Sequence, residues 1–199
     1  MYDPTLPGIG EATRAWIVSQ ITTNLSSLNS ALARDGATPL TALTSACVHL
    51  GDPDKLPTVE VAPIIFAVTG GGRMDGMDID QIQQYYLSPI GYTHTIYSSI
   101  VAYIHHDALV STSGASQETA RQLVLDRVAD WLRAACFNTS SAVAPVLASR
   151  EFCSAPAFDQ LNLAHITSIE KGRTAKSFAG SQILSYVHCR HQAQICGNG

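Results

Sequence analysis

The stretch SQETARQLVLDRVADWLRAA, residues 116–135, carries the clearest structural signal in the chain. Apolar residues recur in it at steps of three and four, and its charged residues lie largely off that stripe. Ser116 stands where an N-cap is expected, and Glu118 follows in the first turn, where the helix dipole favours negative charge. The pattern predicts an amphipathic helix that packs on a sheet through Leu123, Val124, Val128, Trp131 and Leu132.

Two strands are predicted before this helix. Residues 58–69 are rich in β-branched side chains and are bounded by turn residues, which is typical of a strand. Pro63 cannot donate to a β-ladder, so we expect it on an edge or at a bulge. Residues 92–106 are apolar on both faces, which predicts a central strand that is covered on both sides.

A β-hairpin is predicted after the helix. Residues 161–169 open it, residues 170–180 form a long turn, and residues 182–195 return. The returning segment alternates between small or apolar residues and polar ones. One face of this strand is therefore expected to pack, and the other to be polar but nearly uncharged.

A long helix is predicted over residues 10–34, where apolar residues recur at helical spacing. Its other side carries uncharged polar residues, among them Gln20, Asn24, Ser27 and Asn29. A solvated helix normally carries more charge there. Two interpretations stay open: a surface for a partner, or a plain exposed face.

Length and composition favour one α+β domain over residues 1–199. We expect an antiparallel, possibly mixed, sheet of about four strands, with the N-terminal helix, the amphipathic helix packed on the sheet, and long loops. The chain has 12 Lys and Arg against 16 Asp and Glu, a net charge of −4, and only 14% charged residues. Low charge suits a chain that is buried among neighbours. The absence of a basic stripe argues against sequence-specific nucleic-acid binding.

No targeting or membrane segment is expected. Residues 1–8 have neither a basic region nor an apolar run, and no stretch is long and apolar enough for a transmembrane helix. The five cysteines are scattered and odd in number, so we interpret them as reduced thiols made in a cytoplasm.

Three patterns in the sequence have residue types that occur in ligand sites. The triple glycine at 70–72 lacks the Lys and Ser/Thr of a phosphate-binding loop. Asp75, Asp78 and Asp80 are carboxylates of the kind that hold a divalent cation, but the twelfth position from Asp75 is Tyr86 instead of the Glu of an EF-hand. His188 and His191 have zinc-ligand chemistry, but on a strand they project to opposite faces. No metal or cofactor is expected, although a site at either place stays open.

No catalytic motif is present in the sequence. The chain lacks a Gly-x-Ser-x-Gly elbow, and its cysteines have no family signature around them. We therefore do not expect an enzyme. The alternative is a small α+β ligand-binding domain, or an enzyme of unknown chemistry.

The order of predicted elements resembles the tail-terminator and related neck proteins of tailed bacteriophages. The resemblance is carried by residues 16–32, 59–68, 92–106, 118–135 and 161–195. It implies a structural virion protein, made in the bacterial host cytoplasm, that forms a hexameric ring at the head-proximal end of the tail. Such a ring would contact neighbouring neck and tail proteins at the head–tail junction.

Two long loops are the expected interface arms of such a ring. Residues 71–92 combine glycines with Tyr85 and Tyr86, and tyrosine is enriched where interfaces concentrate binding energy. Lys171, Arg173 and Lys176 in the hairpin turn are expected to meet an acidic surface and to orient the partner.

Overall fold

A computed structural model describes residues 5, 7, 9–53, 55–57, 61–70, 83–86, 91–105, 108–111, 117–137, 160–173 and 185–198. Two α-helices and eight strands lie in these ranges. In chain order they are α1 (Ile9–Arg34), β1 (Ala37–Pro39), β2 (Val48–Leu50), β3 (Ile64–Gly70), β4 (Gln83–Tyr86), β5 (Gly91–Ile104), β6 (Leu109–Ser111), α2 (Gln117–Trp131), β7 (Gln160–Gly172) and β8 (Ser185–Asn198).

The main sheet has six strands in the order β2-β3-β5-β8-β7, with β4 also paired to β5. Every pairing in it is antiparallel except that of β2 with β3, which is parallel. Strands β1 and β6 form a separate two-stranded sheet. The predicted α+β fold with a mixed sheet is therefore confirmed, although the short strands β1, β2, β4 and β6 were not predicted.

The central position of β5 is confirmed, because it pairs with β3 on one side and β8 on the other. The start predicted for the preceding strand is wrong. Residues 61–63 precede the ladder, which begins at Ile64, and β3 is an interior strand. Pro63 has no N–H to donate, and its carbonyl accepts from the His105 N–H at 3.0 Å. Residues 58–60 lie outside the described residues.

Helix α2 lies on the sheet as predicted, but with a rotated contact face. Leu123 is 39% exposed and does not belong to the core, so its predicted packing is wrong. Leu125 and Ala129 face inward, which puts Leu123 at the margin of the buried stripe. The remaining predicted contacts, Val124, Val128, Trp131 and Leu132, are all buried.

Trp131 joins the two helices to the sheet. Its ring lies 5.5 Å from that of Phe66 on β3, measured between centroids. Its indole N–H donates to the Ser27 hydroxyl of α1 at 2.9 Å. The helices and Phe66 therefore share one side of the sheet, which we call the helix side; the opposite side is the outer face.

Helix α1 is confirmed and buries the apolar stripe from Ile17 to Leu32. Part of its uncharged polar face is covered by the chain itself. The Asn29 amide donates to the Leu43 carbonyl at 3.1 Å and accepts from the Leu43 N–H at 3.0 Å. The helix gives way to a turn at Gly36, whose positive φ of 75° is a left-handed conformation that glycine adopts without steric cost.

The C-terminal hairpin is confirmed, with one difference at its turn. Strand β7 continues to Gly172, so residues 170–172 belong to the strand and not to the turn. The β7–β8 pairing has two register irregularities, one between Asn162 and His165 and one between Ile166 and Ser168. No helix in the described ranges is long and apolar enough to cross a membrane.

Candidate functional site

Two serine–histidine pairs lie back to back on the central strands β5 and β8. Ser98 is directly opposite His191 in the antiparallel register, and both face the helix side. Ser99 and His188 face outward, because neighbouring residues of a strand alternate between faces. All four residues are at most 5% exposed. The sequence predicts His188 and His191 on opposite faces of the strand, and this is confirmed, but no local pattern marks either serine.

The outer pair belongs to a larger array of polar side chains. Ser99 Oγ lies 2.6 Å from His188 Nε2, and His188 Nδ1 lies 4.0 Å from Glu170 Oε2 on β7. The hydroxyl of Tyr186 donates to the other Glu170 oxygen, Oε1, at 3.0 Å. The array thus joins three neighbouring strands, β5, β8 and β7.

Burial lowers the pKa of His188, and the nearby Glu170 charge opposes that shift. The ring is therefore neutral near pH 7, and with its proton on Nδ1 it accepts the Ser99 hydroxyl proton at Nε2. Burial also raises the pKa of Tyr186, as does its hydrogen bond to Glu170, so its phenol stays a donor.

The order serine, histidine, carboxylate is that of an activated nucleophile with its base and orienting group. Other features of the array oppose acyl transfer. Ser99 is 3% exposed and lies within a strand that pairs with β3 and β8 on its two sides. Acyl transfer also needs hydrogen-bond donors aimed at the developing oxyanion, and backbone amides committed to a ladder do not supply them. The array is better suited to holding the strands together.

The helix-side pair meets a cluster of aromatic rings. His191 lies 4.8 Å from Phe137 and 5.9 Å from Trp16 between ring centroids, and Trp16 lies 5.9 Å from Phe137. Burial, with a smaller contribution from the charge of His165, lowers the pKa of His191 to about 3. Its imidazole is therefore neutral at physiological pH.

Two of the basic residues predicted for an interface, Lys171 and Arg173, contact acidic residues of this chain, and their role at an interface stays a prediction. Lys171 forms an ion pair with Asp126 of α2, and the hydrogen bond from Lys171 is the main cause that lowers the pKa of Asp126. Arg173 lies 3.3 Å from Glu118, near the start of α2. These contacts fasten the base of the hairpin to α2. Lys176 lies outside the described residues.

The tyrosine pair predicted as a loop anchor lies on a strand. Tyr85 and Tyr86 belong to β4 and pair with Thr93 and Tyr92 of β5. The expectation of a continuous loop over residues 71–92 is therefore wrong at residues 83–86, and at residues 91–92, where β5 begins. Residues 71–82 and 87–90 lie outside the described part of the chain.

The described residues contain no group of three or more His, Cys, Asp or Glu side chains arranged to hold a metal ion. Asp75, Asp78 and Asp80 lie outside them. Cys47, Cys136 and Cys189 are buried free thiols, as predicted. Burial raises the pKa of each, to about 12 for Cys189, so these thiols stay protonated and are poor nucleophiles.

The most extended surface feature of the described sheet is its edge strand β7. It has 13 residues and, among the described strands, pairs only with β8. The opposite edge, β2, has three residues. Exposed side chains on β7 are Thr167, Ser168, Glu170 and Lys171. No protein-family model and no curated protein matches the chain.

Proposed function

We propose that this protein is a structural virion subunit of a tailed bacteriophage, a tail terminator or related neck protein that forms a ring at the head-proximal end of the tail. The observation that carries the proposal is the long edge strand β7, beside the low overall charge of the chain. Its partners are further copies of itself and the adjoining neck and tail proteins.

An edge strand presents unpaired N–H and C=O groups to any neighbour that can continue the sheet. Thirteen residues of strand extend over roughly 40 Å. A ring uses the same contact between successive copies, with one surface of a subunit meeting a different surface of the next. Strand β7 is one such surface, and its uncharged residues Thr167 and Ser168 allow close approach.

The two irregularities in the β7–β8 ladder limit the part of β7 that can pair with a neighbouring subunit. A bulge bends its strand and increases the local twist, which disfavours pairing through that point. Regular pairing with β8 extends over residues 168–172, beyond the second irregularity. The subunit contact is therefore proposed at that end of β7.

The test combines assembly state with one substitution in the strand. Native mass spectrometry of the intact chain should give one closed oligomer, and the family resemblance implies six copies. Ser168→Lys puts a charge on the exposed edge and should shift the protein to monomers, because edge lysines block strand pairing. Circular dichroism should be unchanged, since Ser168 is exposed.

The matched control is Ser19→Lys, which makes the same change at an exposed position of α1. We expect it to assemble like the unmodified chain. If Ser19→Lys gives monomers and Ser168→Lys does not, the ring contact uses the helix and the role of β7 is wrong. A chain that stays monomeric with its candidate partners and turns over a small molecule would instead favour the ligand-binding or enzyme alternative.

A further inference from the structure

Four polar atoms on the helix side are buried without a hydrogen-bond partner in the part of the chain that the structure describes. They are Trp16 Nε1, Ser98 Oγ, and both ring nitrogens of His191. Ser98 is 2% exposed and His191 is fully buried. A buried donor or acceptor that stays unpaired loses its hydration without gaining a hydrogen bond in return, which destabilises the fold.

These atoms belong to one place in the fold. Ser98 and His191 are directly opposite each other on β5 and β8, where the Cβ atoms of such a pair lie about 5 Å apart. The Trp16 ring contacts the His191 ring from α1. On the other side of Ser98 the register places Gly70 of β3, which has no side chain to fill the space.

The donors and acceptors of this cluster are complementary to one small neutral molecule. An indole N–H only donates, a hydroxyl does both, and a neutral imidazole has one donor and one acceptor nitrogen. A partner must therefore accept from Trp16 and also donate to the acceptor nitrogen of His191. Water does both, and a buried water typically makes about three hydrogen bonds to such groups.

We infer that Trp16, Ser98 and His191 form a binding site for a buried water molecule, which bridges α1 to strands β5 and β8. The rings of Trp16, Phe137 and His191 lie 4.8 to 5.9 Å apart between centroids, so the three side chains pack against one another at this site. Neutral His191 neither requires nor attracts a counter-ion, which favours water over a small anion.

The direct test is a crystal structure of the full chain at about 1.5 Å resolution or better. We expect a single density peak at hydrogen-bond distance, about 2.7–3.2 Å, from at least two of the three side chains. The same peak should disappear in His191→Phe, which keeps an aromatic ring but removes both nitrogens. An unmodified structure without a peak within 3.5 Å of these atoms would overturn the inference.

The stability of Ser98→Ala gives an independent test in solution. If water bridges the cluster, removing the hydroxyl removes a hydrogen bond, and the folding equilibrium constant should fall about two- to tenfold. If the cluster is dry, the substitution removes an unpaired polar group, and the constant should rise. The companion is the double variant Ser98→Ala/His191→Phe. Its loss should be smaller than the sum of the two single losses, because both act on the same water; additive losses would contradict the inference.

Discussion

The two serine–histidine pairs differ in their hydrogen bonding, although both lie on strands β5 and β8. One pair is Ser98 with His191, and the other is Ser99 with His188. On the outer face Ser99 bonds His188 at 2.6 Å, diagonally across the ladder, and Glu170 lies beyond the ring. On the helix side Ser98 stands directly opposite His191, yet no hydrogen bond joins them. The difference lies in what packs on each imidazole: two aromatic rings on the helix side, and polar groups on the outer face.

The comparison shows how burial acts on two neighbouring histidines. It lowers the pKa of both, but only His188 has a carboxylate nearby that opposes the shift. His188 is thus part of a polar network, whereas His191 serves as a neutral flat ring in a cluster of aromatic side chains. The helix side should therefore respond to substitution mainly through packing, and the outer face mainly through hydrogen bonding.

The largest effect is expected from Trp131→Ala on the helix side. Trp131 is 5% exposed and contacts Phe66, so its truncation should lower the free energy of unfolding by about 3–5 kcal/mol. Urea denaturation measures the loss. The control is Leu123→Ala on the same helix, where a 39% exposed side chain should cost about 1 kcal/mol or less. Equal losses would mean that the buried stripe of α2 is wrongly placed.

The next largest effect is expected in the pH dependence of the free energy of unfolding, which His191 should dominate near neutral pH. Its pKa is about 3 in the folded chain and about 6.5 when unfolded, so the unfolded state binds the proton more readily. Stability is then complete above about pH 6.5 and decreases as the pH falls toward 3. The loss should be about 2 kcal/mol between pH 6.5 and 5.

Urea titrations of the unmodified chain and His191→Phe at pH 7, 6 and 5 check this slope. In the variant, the free energy of unfolding should depend less on pH, by the amount that corresponds to the uptake of close to one proton on unfolding. His188 shifts in the same direction in both proteins, so its contribution cancels. The carboxyl groups of Glu118 and Asp126 have lowered pKa values in both proteins, so their contributions cancel as well. Parallel slopes would show that His191 takes up its proton in the folded state.

A smaller loss, about 1 kcal/mol, is expected from Ser99→Ala, which removes the hydrogen bond to His188. The same residue tests the enzyme alternative. A fluorophosphonate probe, which reacts with activated serines, should leave Ser99 unmodified, because the hydroxyl is buried within a paired strand. A stoichiometric adduct at Ser99 by mass spectrometry, absent from His188→Gln, would instead show an active nucleophile.

The smallest effect is expected where the helix side reaches solvent, at the ion pair of Lys171 with Asp126. Both side chains are partly exposed, so Lys171→Gln should cost roughly 0.3–0.5 kcal/mol, and less at high salt. Ring formation should be unchanged, since the lysine already has an acidic partner in its own chain. Loss of the oligomer in this variant would restore Lys171 to the interface role that the sequence predicted.

The strong periodic elements were predictable from the sequence, and the non-local pairings were not. The stripe of α1 and the alternation of β8 come from local patterning, and both are confirmed. Strand β2 has three residues and pairs in parallel with β3, which no local pattern reveals. Leu123 was misplaced because Leu123, Val124 and Leu125 are consecutive apolar residues, and only the tertiary contact selects two of them.

The site was less predictable than the fold. Strand alternation correctly separates His188 from His191, but the serines beside them depend on the register between β5 and β8, almost 90 residues apart in the chain. Lys171 and Arg173 illustrate the same limit. Their positions in a predicted basic turn favour an outside partner, and only the tertiary fold shows that Asp126 and Glu118 of the same chain also contact them.

The helical turn Leu132–Cys136 at the end of α2 sets the direction in which Phe137 points. Its five residues are π-helical, and the N–H of Phe137 donates to the carbonyl five residues back, at Leu132, over 3.1 Å. A π-turn, closed by a hydrogen bond between residues five apart, holds one residue more than an α-helical turn. Without that extra residue, Phe137 would be rotated by about 100° around the helix axis, away from His191. The aromatic cluster that covers β8 therefore depends on the phase of this single turn, and not only on the apolar character of its residues.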